Sequence, residues 1–183
     1  MLLGKVLTNI KKKYKKIFFK NIKFNSKDCK LNDIFFAING NHYKGNKYIK
    51  NAIDNGAKII ISNLEFEGFD KNKVLFIKDK NPRKLLSDAS SRYYKLKPKN
   101  IIAITGTNGK TSIANFYEQI LSINNKKVAS IGTLGVFSKK IKLKTNNTTL
   151  DPLNIHKILA KLKKLKIENV ILEASSHGLK QCR

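Results

Sequence analysis

In this sequence, the residue types and spacing best suited to binding a phosphate group are those of a glycine-rich loop, TGTNGKT at residues 105–111. Gly106 and Gly109 allow backbone N–H groups to turn toward an anion, and Lys110 can reach the terminal phosphates of a nucleotide. The Thr111 hydroxyl is an oxygen ligand of the kind that Mg²⁺ accepts. The strict P-loop pattern is not met, because Ile104 occupies the position of its first glycine. An ordinary strand-to-helix turn is the alternative, but the apolar runs on both sides favour a nucleotide site.

The elements that must position this loop alternate between strands and helices. After a linker at 95–100, we predict strands at 101–105, 127–132, 135–143 and 169–175, and helices at about 110–124 and 152–166. Asp151 is the predicted N-cap of the second helix, which Pro152 begins. This alternation is typical of a mostly parallel α/β sheet, here shorter than a complete doubly wound domain.

The residues before the linker alternate in the same way. Apolar residues at helical spacing predict an amphipathic helix over 2–17 with a lysine face. We also predict strands at 33–38, 58–63 and 73–79, a short helix near 48–53 ended by Asn55-Gly56, and a helix from Pro82 to about Tyr94. The fold class is therefore α/β: a small N-terminal α/β domain at 1–97, followed by an incomplete, P-loop-type, mostly parallel central domain at 98–183.

The charge of the chain is strongly positive. Lys and Arg number 38 against 12 Asp and Glu, which gives a formal net charge of +26. Such a surplus attracts nucleic acid, yet nearly all of these residues are lysines scattered along the chain, whereas proteins that read bases favour arginine. We interpret the charge as a solvated surface and expect no nucleic-acid partner.

The sequence has no features of secretion or of membrane insertion. No apolar run approaches the length of a membrane span, and the first residues lack a signal-peptide pattern. Cys29 and Cys182 form neither a disulfide framework nor a metal spacing. We expect a cytoplasmic protein with no membrane span, and a monomer.

Several motifs together resemble those of the Mur ligases. TGTNGKTS after an apolar strand is similar to the ATP loop of these enzymes and of their folylpolyglutamate synthetase relatives. Residues 26–61 resemble the first domain of the muramyl ligases that add the third and later peptide residues. NTTLDP at 147–152 and LEASSHGLKQCR at 172–183 resemble most the members that add the third residue of the stem peptide.

The resemblance implies an ATP-dependent amide ligase of peptidoglycan precursor synthesis. Its substrates would be UDP-MurNAc-L-Ala-D-Glu (the UDP-MurNAc-dipeptide) and a diamino acid, and its cofactors ATP and Mg²⁺. ATP would convert a substrate carboxylate to an acyl phosphate, which an amino group then attacks. Mg²⁺ and lysine would stabilise the charge that develops.

The same resemblance assigns the residues around the nucleotide. Lys110 and Glu173 are the implied catalytic residues, and Thr111 and Glu173 the implied Mg²⁺ ligands. Glu173 ends the apolar stretch NVILEAS, which is too apolar to hold a charge without a role. The implied ATP-binding residues are Gly106, Thr107, Asn108, Gly109, Lys110, Thr111 and Ser112.

The substrate contacts implied by the resemblance lie in three parts of the chain. On the uridine and diphosphate side they are Phe24, Ser26, Asn41, His42 and Tyr43. On the muramyl-peptide side they are Asn147, Thr148, Thr149, Ser175, Gln181 and Arg183. No role transfers to His177, which we place in a turn, and His42 and His156 have no metal-like spacing.

Some positions depart from the family's pattern. Asn25-Ser26-Lys27 stands where members have Asp-Ser-Arg, and Leu150 replaces a proline after the paired threonines. Ser112 replaces a second threonine, and the DGH-like loop reads Lys44-Gly45-Asn46. These differences affect substrate positioning first.

The chain ends before two parts that the family uses. These are the segment with an Asp-His motif and the lysine that is carboxylated to bind Mg²⁺, and the third domain. We expect a truncated chain without the C-terminal domain, inactive as a ligase by itself. The choice between diaminopimelate and lysine depends on residues beyond 183.

Two alternative functions stay open. A MurF-type or folylpolyglutamate synthetase-type ligase is the first, although LEASSHGL argues against the former and the uridine-type first domain against the latter. A non-catalytic nucleotide- or nucleic-acid-binding module is the second.

Overall fold

The computed structural model of the chain describes residues 1–40, 43–139, 141–143 and 150–182. The chain divides into two compact units, Met1–Tyr93 and Tyr94–Arg183, just before the segment predicted as a linker. Each unit is built around a five-stranded sheet, so the predicted α/β fold class is confirmed.

The first unit contains a mostly parallel sheet with the strand order β1-β2-β3-β5-β4. Only β4 runs antiparallel to its neighbour. The strands are β1 (Ile22–Lys23), β2 (Asp33–Phe36), β3 (Ala57–Ser62), β4 (Gly68–Phe69) and β5 (Leu75–Lys78). The helices are α1 (Ile49–Asp54) and α2 (Pro82–Tyr93).

The central strands of this sheet are continuous apolar runs because both of their faces are covered. All four residues of β2 are buried, and so are all residues of β3 except Lys58. Gly56 follows α1 with a φ of 103°, the left-handed conformation that ends a helix, as the Asn55-Gly56 pair predicts. The cluster that packs α1 on the sheet consists of Cys29, Phe35, Ala37, Ile49, Ala52, Ala57, Ile60 and Val74.

The helix predicted over residues 2–17 is wrong. Short 3-10 turns occupy Leu3–Lys5 and Lys12–Tyr14, and between them the chain reverses so that the Leu3 N–H donates to the Ile17 carbonyl at 2.8 Å. Of the six apolar residues at helical spacing, Leu3, Val6, Leu7 and Tyr14 are buried, and Ile10 and Ile17 are half-buried. A continuous helix would place lysines 11 and 15, and 12 and 16, one turn apart, where like charges repel.

The second unit has a mixed sheet with the strand order β6-β10-β7-β8-β9. The first three strands in this order are parallel, and β8 and β9 are antiparallel additions. Its strands are β6 (Asn100–Ile104), β7 (Val128–Gly132), β8 (Gly135–Ser138), β9 (Ile141–Leu143) and β10 (Asn169–Glu173). Its helices are α3 (Lys110–Ile123), α4 (Pro152–Lys164) and α5 (Ser176–Lys180).

Two predictions in this unit need correction. The single strand predicted at 135–143 is a hairpin, in which β8 and β9 pair antiparallel and the Ile141 N–H donates to the Ser138 hydroxyl at 3.1 Å. The predicted SSHGL turn contains the short helix α5, in which the Ser175 side chain caps the Gly178 N–H. The remaining predicted strands and helices end within about two residues of the observed bounds.

The described residues contain no helix that could span a membrane. None of their helices is long and apolar enough to cross a bilayer.

Candidate functional site

The glycine-rich loop lies between the end of β6 and the start of α3, at the carboxyl edge of the parallel strands. This edge is where open α/β sheets bind their ligands. Gly106 has a φ of 151° and Gly109 a φ of 81°, so both adopt conformations that residues with a side chain avoid. Gly109 is also the N-cap of α3 and has no side chain to cap the first N–H groups of the helix.

The Lys110 side chain folds back over this loop. Its ammonium group donates to the Gly106 carbonyl at 2.7 Å and to the Thr107 carbonyl at 3.3 Å. A cation therefore lies directly beside the helix N-terminus, where the helix dipole is also positive. The positive electrostatic potential at this loop suits a polyanion such as a nucleoside triphosphate.

Glu173 meets the loop because β10 lies next to β6. The two strands are in register, with Glu173 opposite Ile104, the last residue before the loop. The Thr111 hydroxyl donates to Oε2 of Glu173 at 3.0 Å. The structure therefore brings together the two residues predicted as metal ligands, which are 62 positions apart in the sequence.

Thr133 is a third member of this cluster, and sequence reasoning missed it. Its hydroxyl donates to Oε2 of Glu173 at 3.0 Å, and its backbone N–H donates to Oε1 at 3.3 Å. The signal was present, because Thr133 directly follows the buried strand β7, which is parallel to β10 and ends at the same edge. Only the strand order showed that β7 is the neighbour of β10.

The carboxylate of Glu173 is buried among neutral donors. Its residue is 4% exposed, and no salt bridge between the residues that the structure describes includes it. A buried carboxylate without a cationic partner is costly, and oxygen ligands are what Mg²⁺ prefers. Glu173 and Thr111 therefore fit a hard divalent cation held beside the phosphate loop.

The other described side chains offer no further metal site. Within the described ranges no three His, Cys, Asp or Glu side chains are grouped so that they could hold a metal ion. Burial raises the pKa of the Cys29 thiol to about 11, so it is not a nucleophile near neutral pH. Burial and the charge of Lys97 lower the pKa of His156 to about 4, and its Nδ1 is buried without a partner in the described part of the chain.

A cleft of about 500 Å³ in the first unit brings together three of the five residues predicted on the uridine side. These are Phe24, Ser26 and Tyr43. The other lining residues are Asn25, Lys27, Phe35, Ile38, Gly45 and Tyr48. Asn41 and His42, the other two predicted residues, lie outside the described residues.

The cleft combines aromatic rings with polar groups. Tyr43 and Tyr48 meet edge to face, with ring centroids 6.3 Å apart, and both are exposed to solvent. Ser26 is buried at the start of a 3-10 turn, which Asn25 caps by accepting the Lys27 N–H at 3.2 Å. Rings beside a few fixed polar groups suit a planar heterocycle with hydrogen-bonding edges.

The predicted muramyl-peptide contacts are only partly described. The Ser175 hydroxyl accepts the Gly178 N–H at 3.0 Å as the N-cap of α5. Gln181 Nε2 lies 2.7 Å from His177 Nε2. Ser175 is two residues beyond Glu173 and hence near the same sheet edge. Asn147, Thr148, Thr149 and Arg183 lie outside the residues that the structure describes.

Comparison with known protein families gives two matches that together span most of the chain. The model described as "Mur ligase family, catalytic domain" matches residues 19–94. The model described as "Mur ligase middle domain" matches residues 104–183.

Curated relatives share about two fifths of the residues. A UDP-N-acetylmuramoyl-L-alanyl-D-glutamate--2,6-diaminopimelate ligase of Rickettsia montanensis is 40% identical over 179 residues, which is 96% of this chain and 37% of the relative. The Clostridium tetani ligase of the same name is 39% identical over 169 residues, covering 89% of this chain and 34% of the relative. The chain thus spans about a third of the length of these relatives.

Solved structures show the same architecture. A 2,6-diaminopimelate ligase structure of this kind matches all of this chain and 37% of its own, with a TM-score of 0.78 and 26% identity. The MurF ligase from Thermotoga maritima in complex with ADP matches 86% of this chain and 32% of its own, with a TM-score of 0.56 and 19% identity. The second likeness concerns the fold alone.

Proposed function

The chain belongs to the Mur ligase family and is similar to the enzymes named above. We therefore propose that it binds the nucleotide substrates of an ATP-dependent amide ligase. In this proposal residues 1–97 bind the UDP-MurNAc part of UDP-MurNAc-L-Ala-D-Glu and residues 98–183 bind ATP. The complete reaction adds a diamino acid as the third residue of the stem peptide in the cytoplasm. The names of the relatives make 2,6-diaminopimelate the diamino acid to test first.

The reaction requires a carboxylate to become an electrophile. A carboxylate oxygen of the substrate attacks the γ-phosphorus of ATP, which forms an acyl phosphate and releases ADP. The amino group of the diamino acid then attacks the acyl carbon, loses a proton and displaces inorganic phosphate. Both steps concentrate negative charge on phosphate oxygens, so positive charge beside them lowers the barrier.

The observation that supports this function best is the meeting of Lys110, Thr111 and Glu173 at one sheet edge. Lys110 would bind the β- and γ-phosphate oxygens, and the loop N–H groups would bind the remaining ones. Thr111 and Glu173 would hold Mg²⁺, which supplies positive charge to the phosphates when it is bound. That role would explain why the buried carboxylate of Glu173 forms no salt bridge with the described residues.

In the first unit, the aromatic cleft is the proposed uridine site. Phe24 and Tyr43 would bracket the base, and Ser26 would provide a hydrogen bond at its floor. Asn41 and His42 stay in the proposal as contacts of the diphosphate, and Asn147, Thr148, Thr149, Ser175, Gln181 and Arg183 as contacts of the muramyl peptide.

ATP binding to the chain in the presence of Mg²⁺ tests the proposal. We expect Lys110→Ala to weaken ATP binding by about tenfold or more, because it removes a charged hydrogen-bond donor from the phosphates. Lys126→Ala, which removes an exposed lysine beyond the end of α3, should leave the dissociation constant unchanged. Isothermal titration calorimetry measures both; equal affinities for the two variants would contradict the assignment of Lys110.

The net charge of +26 supports one competing function, a nucleic-acid-binding module. Such a module would bind random-sequence DNA with a steep dependence on salt and no preference for ATP. Fluorescence anisotropy of labelled DNA at several NaCl concentrations, beside the ATP titration, separates the two functions.

A further inference from the structure

Thr133 donates two of the three hydrogen bonds that the buried carboxylate of Glu173 receives from the described residues. We propose that Thr133 is a positioning residue, which holds Glu173 in the orientation in which Glu173 and Thr111 together bind Mg²⁺. This inference rests on the proposed function, because it assigns a task at the same site to a residue outside the glycine-rich loop.

The two hydrogen bonds of Thr133 restrain both carboxylate oxygens. The backbone N–H binds Oε1 at 3.3 Å, and the hydroxyl binds Oε2 at 3.0 Å. The last side-chain torsion of a glutamate is otherwise broad, so an unrestrained carboxylate would sample many orientations. Rotation away from the observed orientation breaks at least one of these two bonds, and one orientation is therefore selected.

Gly132 leaves the space in which this arrangement forms. A Cβ atom at this position would overlap the Glu173 carboxylate. The carboxylate therefore lies directly against the backbone at the end of β7, within reach of the Thr133 N–H. Because Glu173 is buried, water cannot easily replace a hydrogen bond lost from Thr133.

The orientation of Glu173 decides in turn where the lone pairs of Thr111 point. A hydroxyl has one proton and two lone pairs, and Thr111 gives its proton to Oε2 of Glu173. The lone pairs of Thr111 are therefore directed away from the carboxylate and are available to a cation. Loss of the Thr133 hydroxyl frees Glu173 to rotate, and Thr111 is then no longer held in one position.

Replacing Thr133 by valine removes the hydroxyl and keeps both the size of the side chain and the backbone N–H. We expect Thr133→Val to reduce the gain in ATP affinity on adding Mg²⁺ by about tenfold or more, as for other contacts that orient metal ligands. The ATP affinity measured in EDTA should stay within about twofold of the wild-type value. Thr133→Ser retains the hydroxyl and should lie within about threefold of the wild type. Titration of Mn²⁺ into the ATP complex, followed by electron paramagnetic resonance, measures the metal affinity directly.

Two further variants separate positioning from general damage. Ser130 lies in β7, the strand that Thr133 follows, and Ser130→Ala should leave the Mg²⁺ dependence of ATP binding unchanged. Thr133→Ala removes the hydroxyl by a second route. Any of three results would overturn the role of Thr133. Thr133→Val could lose as much ATP affinity in EDTA as with Mg²⁺, Thr133→Ser could fail to restore the Mg²⁺ dependence, or Ser130→Ala could reduce it as much as Thr133→Val does. If the wild-type chain binds ATP without any Mg²⁺ dependence, the proposed function fails as well, which the wild-type titration reports separately.

Discussion

At the scale of single residues, the burial of Glu173 supports its proposed role as a metal ligand. A carboxylate that is 4% exposed loses most of its hydration, and among the described residues it receives hydrogen bonds from two hydroxyls and one amide but no cation. Three neutral donors offset only part of that loss. A carboxylate with a purely structural role at such a buried position would be paired with lysine or arginine. The chain has 38 Lys and Arg residues that could form such a pair.

His156 leads to a prediction about pH. Its pKa is lowered to about 4 by burial and by Lys97, so the folded protein keeps it neutral while the unfolded chain protonates it near pH 6.5. The stability that depends on the neutral form is present above about pH 6.5 and is lost as the pH falls toward 4, by about 1–3 kcal/mol. Urea unfolding of wild type and His156→Gln between pH 7 and 4 measures the difference.

The His156→Gln variant should have the flatter profile of stability against pH. His177→Gln, at an exposed position, serves as the control substitution. Profiles of wild type and His156→Gln that run parallel over this range would show that His156 is not the group responsible.

At the scale of secondary structure, the site results from strand order. β10 lies between β6 and β7 and is parallel to both, so the carboxyl ends of all three strands meet at one edge. That edge contains the glycine-rich loop after β6, Thr133 after β7, and Glu173 at the end of β10. Each strand contributes one part of the candidate site, and these parts lie far apart in the sequence, at residues 105–111, 133 and 173.

The N-cap of α4 provides a prediction at this scale. The Asp151 side chain accepts the Asn154 N–H at 2.9 Å, and Pro152 occupies the first turn, as the sequence predicts. Asp151→Ala should reduce the free energy of unfolding by about 1 kcal/mol, because one N–H of the first turn loses its acceptor. Asp151→Asn keeps an acceptor oxygen and should lose less in the same urea titration; equal losses would mean that the cap does not act through this bond.

At the scale of the whole molecule, the excess of lysine sets the solution behaviour. The chain has a net charge of +26, and the salt bridges between described residues are few and largely exposed. Unpaired like charges repel one another more in the compact state than in the unfolded chain, and salt screens that repulsion. Repulsion between these charges therefore lowers the free energy of unfolding at low ionic strength.

We accordingly expect the free energy of unfolding to rise as NaCl is increased from about 20 mM to 500 mM, where the screening length becomes short. Urea unfolding midpoints at fixed pH and several NaCl concentrations measure this effect. A stability that falls over this range would show instead that attractive ion pairs outweigh the repulsion.

Much of the fold could be predicted from the sequence because its signals are local. The apolar runs of β2, β3 and β10 mark strands that are largely buried, and Asp151-Pro152 marks a helix start. The apolar run of β6 also marks a strand, although most of its residues are exposed. The failed helix at 2–17 shows the limit of such signals. Most of its regularly spaced apolar residues are buried, whereas its backbone forms hydrogen bonds with residues farther along the chain, such as that of the Leu3 N–H with the Ile17 carbonyl.

The sequence by itself determined the residue types of the site: a glycine loop with Lys110 and Thr111, and an acid, Glu173, at the end of an apolar run. Only the tertiary structure decided that Glu173 accepts a hydrogen bond from Thr111 and that Thr133 holds both carboxylate oxygens. Residue types and local periodicity are properties of short sequence segments and can be identified without the fold. The pairing of β10 with β6 on one side and β7 on the other is a long-range contact, set by how the whole sheet buries its apolar faces.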